Sequence, residues 1–204
     1  TGRNQVEAGT LKATAKTDTT NDQPLLAIDS SALGGMYAGA IRLVGTEDGV
    51  GVKLSGDMAA SASDIHIDAN GHLTIARVAA GQNLQLSAES IELEQDAYAG
   101  KSVEIMAQAL RVKESLAAGE LVAVDVKSFQ NSGITEAGIR VDGSILPSSK
   151  LVVQAEQVIN SGELTSHGTL EVVAHNLDNR QGTISSTAMG SIYADDVNNH
   201  QGHT

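Results

Sequence analysis

The chain has 204 residues, a formal net charge of −12, one phenylalanine, three tyrosines, no tryptophan and no cysteine. An acidic chain without a basic stripe is a poor partner for nucleic acid or for an anionic membrane surface, and the missing cysteines exclude disulfides, thiolate metal sites and cysteine nucleophiles. So few aromatics also argue against a conventional globular core, which draws much of its buried area from them.

Residues 1–22 are polar and threonine-rich, with a short strand expected at Gly9-Thr10-Leu11 and a turn at Asn21-Asp22-Gln23-Pro24. Residues 25–29 read as a buried strand. The glycine-rich run Leu33-Gly34-Gly35-Met36-Tyr37-Ala38-Gly39 predicts a bend rather than a regular strand. Ile41/Leu43 and Val50/Val52 then alternate with polar neighbours around the turn Thr46-Glu47-Asp48-Gly49.

From Ile65 the chain repeats itself. The pair Ile65/Ile67 returns as Leu84/Leu86, Val103/Ile105 and Val122/Val124, each step being 19 residues (84−65, 103−84, 122−103). Leu73/Ile75, Ile91/Leu93 and Leu110/Val112 follow as a second series, and Gly81, Gly100 and Gly119 mark one point in each unit. A fixed period of this size is the signature of stacked repeats, and alternation in twos makes the repeated element a strand. The predicted fold is all-β, a parallel β-helix with coils of about 19–20 residues.

Regularity breaks after Val126. Asn131-Ser132-Gly133 and Asn160-Ser161-Gly162 are 29 apart (160−131), too long for one coil and too short for two. The excess is expected at residues 134–149, as an out-looping insertion or small hairpin around Asp142-Gly143. Gly162, Gly182 and Gly202 then recur at 20, each preceded by an asparagine: Asn160, Asn179 and Asn199. Glycine is expected there for a tight corner at positive φ, and the asparagines for a side-chain ladder between coils. This divides one continuous solenoid into irregular first coils (1–64), regular 19-residue coils (65–126), an irregular coil with insertion (127–150) and 20-residue repeats (151–204). No apolar run approaches the length of a membrane span, and the pattern reads as a fragment of a longer rod.

Candidate chemistry is sparse. Asp64, His66 and Asp68 share the outer face of one strand, a geometry compatible with a divalent cation and equally with the solvated face of any half-buried strand. Glu92 and Glu94 stand one coil below Arg111 and Lys113, which predicts ion pairing between coils. The adjacent Asp195 and Asp196 should point to opposite faces. Met36, Tyr37 and Tyr98 are candidate partner anchors or corner plugs. No catalytic, cofactor-binding or metal-ligating residue is assigned, no cofactor is expected, and the chain is expected not to be an enzyme.

The runs Ala32-Leu33-Gly34-Gly35-Met36-Tyr37-Ala38-Gly39 and Ile41-Arg42-Leu43-Val44-Gly45-Thr46-Glu47-Asp48-Gly49-Val50-Gly51-Val52 closely resemble filamentous haemagglutinins and contact-dependent inhibition exoproteins. These are secreted members of two-partner secretion systems in Gram-negative bacteria. Leu177-Asp178-Asn179-Arg180-Gln181-Gly182-Thr183-Ile184-Ser185 is similar to their haemagglutinin repeat. The resemblance implies a right-handed coil in a long filament, secreted or held at the cell surface. It also implies export through an outer-membrane β-barrel transporter, with no membrane insertion. The expected role is a shaft that extends a distal binding or toxin region. The alternative is an adhesin binding a host or bacterial surface receptor through residues 134–149, and a remote one is a polysaccharide lyase or hydrolase on the same scaffold. No nucleic-acid partner is expected.

Overall fold

The computed structural model describes residues 4–6, 13–15, 26–30 and 34–204, and among these every regular element is a β-strand. Asn4–Val6 and Ala13–Ala15 form a small antiparallel pair. The expected strand at Gly9-Thr10-Leu11 and turn at Asn21-Asp22-Gln23-Pro24 lie outside the described residues.

The rest of the chain winds through three faces, and each strand pairs in parallel with its counterpart one coil away. Ile65–Asp68, Asn83–Ser87 and the first half of Ser102–Val112 stack on the first face. His72–Ile75, Ser90–Leu93 and the second half of Ser102–Val112 stack on the second. Val78–Ala80, Asp96–Ala99 and Ser115–Ala118 stack on the third, part of an 8-stranded sheet that runs from Met36–Ala38 to Thr183–Ser186. From residue 102 onwards the first two faces merge into single bent strands, among them Leu121–Asn131, Lys150–Asn160, Thr169–Asp178 and Gly190–Asn198. The 19-residue register expected from the sequence is met: Ile65, Leu84, Val103 and Val122 stand directly above one another. The fold is a parallel β-solenoid.

Alternation fills the interior. On the first face Leu84/Leu86, Val103/Ile105, Val122/Val124, Leu151/Val153 and Leu170/Val172 all point inward and are buried. Each such side chain contributes about 1.5–3 kcal/mol of apolar burial, and the stack repeats that gain coil after coil without aromatic bulk. Phe129 is the exception, fully buried between Leu110 and Val158 on the second face.

The glycines act differently from the sequence expectation. Gly162, Gly182 and Gly202 are not among the positive-φ residues; at the longer corners it is Gln181 (φ 65) and Gln201 (φ 62) that take the left-handed conformation. A Cβ on Gly162, Gly182 or Gly202 would meet the backbone of the coil beneath, and the same holds for Gly100 over the Gly81 carbonyl. Coil stacking, not corner tightness, requires glycine there. The 20-residue step also has a local cause. Asn160-Ser161-Gly162 turns with one residue between asparagine and glycine, whereas Asn179-Arg180-Gln181-Gly182 has two, and the added residue is the left-handed glutamine.

The excess near residue 140 is narrower than expected. Ile134–Ala137 is an ordinary rung over Ser115–Ala118. Between Ala137 and Lys150 the chain advances 13 residues (150−137), against 3 between the matching Ala118 and Leu121 (121−118). Ten residues are therefore extruded, and the excursion occupies 138–149.

Candidate functional site

The excursion is a β-hairpin. Ile139 and Ile145 form an antiparallel bridge. The Arg140 N–H donates to the Ser144 carbonyl at 3.0 Å, and Leu146 N–H to Gly138 at 2.8 Å. Asp142-Gly143 makes the tip, with Gly143 at φ 78, the backbone that a tight hairpin end favours. Gly138 leaves the rung at φ 100, and a side chain there would collide with Ser149 and His167. Outward, Val141 is 84% exposed and Ile145 54% exposed.

The hairpin folds back along the third face. Tyr98 points outward from Asp96–Ala99, two coils below the hairpin's exit, and its hydroxyl donates to the Ile139 carbonyl at 3.4 Å. Burial beneath the hairpin pushes that hydroxyl above the ordinary phenol range. Ala117, on the rung between, is buried although it faces outward, while Ala59 and Ala79 at equivalent positions are only half-buried. At the base, His167 Nε2 and Glu136 Oε1 lie 2.7 Å apart, both partly buried.

Along the second face run three shallow depressions of about 290, 310 and 410 Å³. The first two share Arg111 and Gln130, and the last two share Ile159 and Ser161, so they form one trough parallel to the rod. Lys113 Nζ sits 2.9 Å from Glu92 and 3.6 Å from Glu94. The two-by-two pairing expected of Glu92 and Glu94 with Arg111 and Lys113 is thus a shared one, centred on Lys113. Its hydrogen bond to Glu92 holds that carboxyl below its ordinary value against the opposing effect of burial.

The remaining sequence candidates are dispersed. Asp64 accepts from the Asn83 backbone and side chain at 3.0 and 2.9 Å, and His66 Nδ1 lies 3.1 Å from the Gln85 side chain. Each residue thus faces its neighbour in the next coil rather than a shared ion. Among the described residues no three His, Asp or Glu side chains gather as metal ligands. Asp195 and Asp196 are both exposed, because the strand bends between the faces at that point. Asp195 Oδ2 lies 2.8 Å from His175 Nδ1. Tyr37 is exposed, and Met36 packs partly buried against the core.

The asparagine ladder expected from the sequence is present, and it lies inside the second face. Asn131, Asn160 and Asn179 occupy the inward positions that Ile75, Leu93 and Val112 hold in earlier coils, and all three are buried. Each Nδ2 donates to the next Oδ1: Asn131 to Asn160 at 2.8 Å, Asn160 to Asn179 at 2.7 Å, Asn179 to Asn199 at 2.7 Å. The spacing of asparagines predicts such a ladder; that it lies in the core follows only from counting alternation back from Val112.

No protein-family model matches the chain, and no solved structure matches it. Curated relatives do. The chain is 44% identical over 171 residues to a tRNA nuclease CdiA-2 of Burkholderia pseudomallei, a match covering 82% of this chain and 5% of that protein. It is 44% identical over 91 residues to a toxin CdiA of Yersinia pestis, covering 44% of this chain and 3% of that protein. A 16S rRNA endonuclease CdiA of Enterobacter cloacae subsp. cloacae is 38% identical over 95 residues, covering 47% and 3%. The chain thus spans at most 5% of the length of these relatives.

These names correct two expectations. Proteins similar to this chain are named as nucleases acting on tRNA or 16S rRNA, which overturns both "not an enzyme" and "no nucleic-acid partner". The physical reason is scale: charge and missing catalytic clusters describe 204 residues, whereas the named activities belong to proteins of which the matched stretch is 5% or less. On fold and relatives together, the chain belongs to the CdiA family of contact-dependent growth inhibition proteins, of which it is a stretch of β-solenoid.

Proposed function

We propose that this segment is a shaft element of a large surface exoprotein of a Gram-negative bacterium, extending a distal binding or toxin region from the cell. The complete protein, on this reading, inhibits neighbouring cells on contact and acts on RNA as a nuclease, the latter being the activity in its relatives' names. The observation carrying the shaft reading is the unbroken register of coils, since a solenoid whose every coil contacts its neighbours transmits position along one axis. We read the chain as one solenoid in four stretches: irregular first coils (1–64), regular coils (65–126), the hairpin-bearing coil (127–150) and the 20-residue repeats (151–204).

The test is to remove one whole coil, residues 64–82, from the complete exoprotein. Nineteen residues preserve the register, so the rod should shorten by about 4.8 Å, and secretion and inhibition of target cells should persist. Replacing the inward Leu84 and Val103 by aspartate instead buries unpaired charge in the aliphatic stack and should abolish both. If the coil deletion and the charged variant behave alike, the segment is not a register-dependent shaft.

A second reading is favoured by the exposure of Val141 and Ile145: the hairpin contacts a host or bacterial surface ligand directly. Replacing 138–149 with the two-residue corner Gly-Glu, as at Gly119-Glu120, keeps the rungs on either side in register. Loss of cell binding in that variant would favour the contact role over the shaft alone.

A further inference from the structure

In a solenoid each coil ordinarily contacts only its neighbours, so stability is a sum of nearest-neighbour terms and fraying at one end can travel. The hairpin departs from that rule. It leaves the coil of Ile134–Ala137, passes the coil of Ser115–Ala118 and reaches the coil of Asp96–Ala99, where Tyr98 receives it. The register explains the meeting, since 136−98 is two steps of 19, which puts Glu136 two rungs above Tyr98 on one column. Ala117, the rung between, is the outward alanine of this column that becomes buried. A side chain on Gly119 would find the Arg140 Cγ at 3.9 Å, so the path passes over that glycine too. The hairpin's foot is fixed independently, by the His167–Glu136 pair and by the buried Ser149 hydroxyl, which donates to the Ala137 carbonyl at 3.2 Å.

We propose that residues 138–149 form a strap that couples three successive coils and stops fraying from passing between the 20-residue repeats and the regular block. The purpose assigned to the strap rests on the shaft reading; its existence as a coupling does not. Tyr98 is the buckle. It faces outward, so changing it leaves the aliphatic interior untouched, and its hydroxyl is the anchoring donor.

The experiment is amide hydrogen exchange on this chain, comparing wild type with Y98F, Y98A and the Gly-Glu replacement of 138–149. In wild type, the amides of Arg140 and Leu146 should be protected, because both are hydrogen-bonded in the closed hairpin. Y98F should raise their exchange about fivefold, the effect of one modest hydrogen bond, and Y98A should raise it further. In Y98A and in the replacement, exchange should also rise in Asp96–Ala99 and Ser115–Ala118, while Val78–Ala80 stays as it was. The strap is overturned if Arg140 and Leu146 exchange freely in wild type, or if Y98A leaves both them and the two rungs unchanged. Neither result touches the coil-deletion test, so failure of the strap and failure of the shaft remain distinguishable.

Discussion

Asn131 donates to Asn160 at 2.8 Å although 29 residues separate them, ten more than a coil requires. The hairpin between them leaves the amide ladder in step, so the ladder reports on interior register independently of the surface. Asn131, Asn160 and Asn179 are buried, and Asn160 is matched in both directions: it accepts from Asn131 and donates to Asn179 and to the Thr183 carbonyl.

Asn160 is therefore a sensitive position. N160A leaves the Asn179 side-chain oxygen without its donor and takes one of three acceptors from the Asn131 amide, which keeps the Gly133 and Glu163 carbonyls. It should cost about 1–3 kcal/mol in urea unfolding, the penalty of one unsatisfied buried group. N160D is nearly isosteric but sets a carboxylate against the oxygens of Asn179 and Thr183. It should be at least as damaging at pH 7 and recover as the pH falls and the acid protonates. Equal stability of N160D and wild type at pH 7 would remove the ladder from the account.

Gly100 tests whether glycine serves stacking or conformation. Its φ is ordinary, yet a Cβ would strike the Gly81 carbonyl. G100A should lose about 1–3 kcal/mol as an overpacking penalty. Gly39, where an added Cβ meets nothing, is the control, and G39A should leave the unfolding midpoint nearly unchanged.

The pairing at Lys113 gives an acid dependence with a defined sign. Glu92 has its folded-state pKa lowered, chiefly by the hydrogen bond from Lys113. Its contribution is therefore present above the ordinary glutamate pKa of about 4.3 and is lost as the pH falls through the lower folded value. The urea midpoint of K113M should lie below that of wild type at pH 7, and the gap should close in acid. A gap that persists unchanged at low pH would mean that lost packing of the lysine stem, not charge, set the difference.

His175 shifts the other way. The neighbouring Asp195 carboxylate raises its pKa through a hydrogen bond first and charge second. Any contribution to stability is complete below the ordinary histidine value and is lost as the pH rises through the raised one. Both groups are exposed, so salt should screen the effect. In an NMR titration His175 should titrate above the usual 6.5, and D195N should lower it toward that value.

Much of this architecture is legible because a solenoid writes its register into the chain. Leu84 and Val103 pair as their spacing requires, and the extruded decapeptide announces itself as 29 where 19 belongs. Other features depend on where side chains reach. Spacing places Arg111 over Glu92, but the flexible Lys113 reaches both acids. Tyr98 and Ile139 lie 41 residues apart in different local patterns, and only the stacked geometry makes them neighbours. The glycine column was misread for a similar reason: its partner is the coil beneath, which no local turn rule contains. The nuclease names could not be reached at all, because chemistry in a far longer relative leaves no trace in a matched stretch of aliphatic rungs.

The corner between Ala137 and Lys150 has a wider consequence. Because the chain departs and rejoins at sites that a two-residue link otherwise connects, segments of varied length fit at that junction without changing the register of the coils above or below. Growth sideways and growth lengthwise are thus separate freedoms in this molecule, and a lineage or an engineer can alter the ornament while leaving the column as it stands.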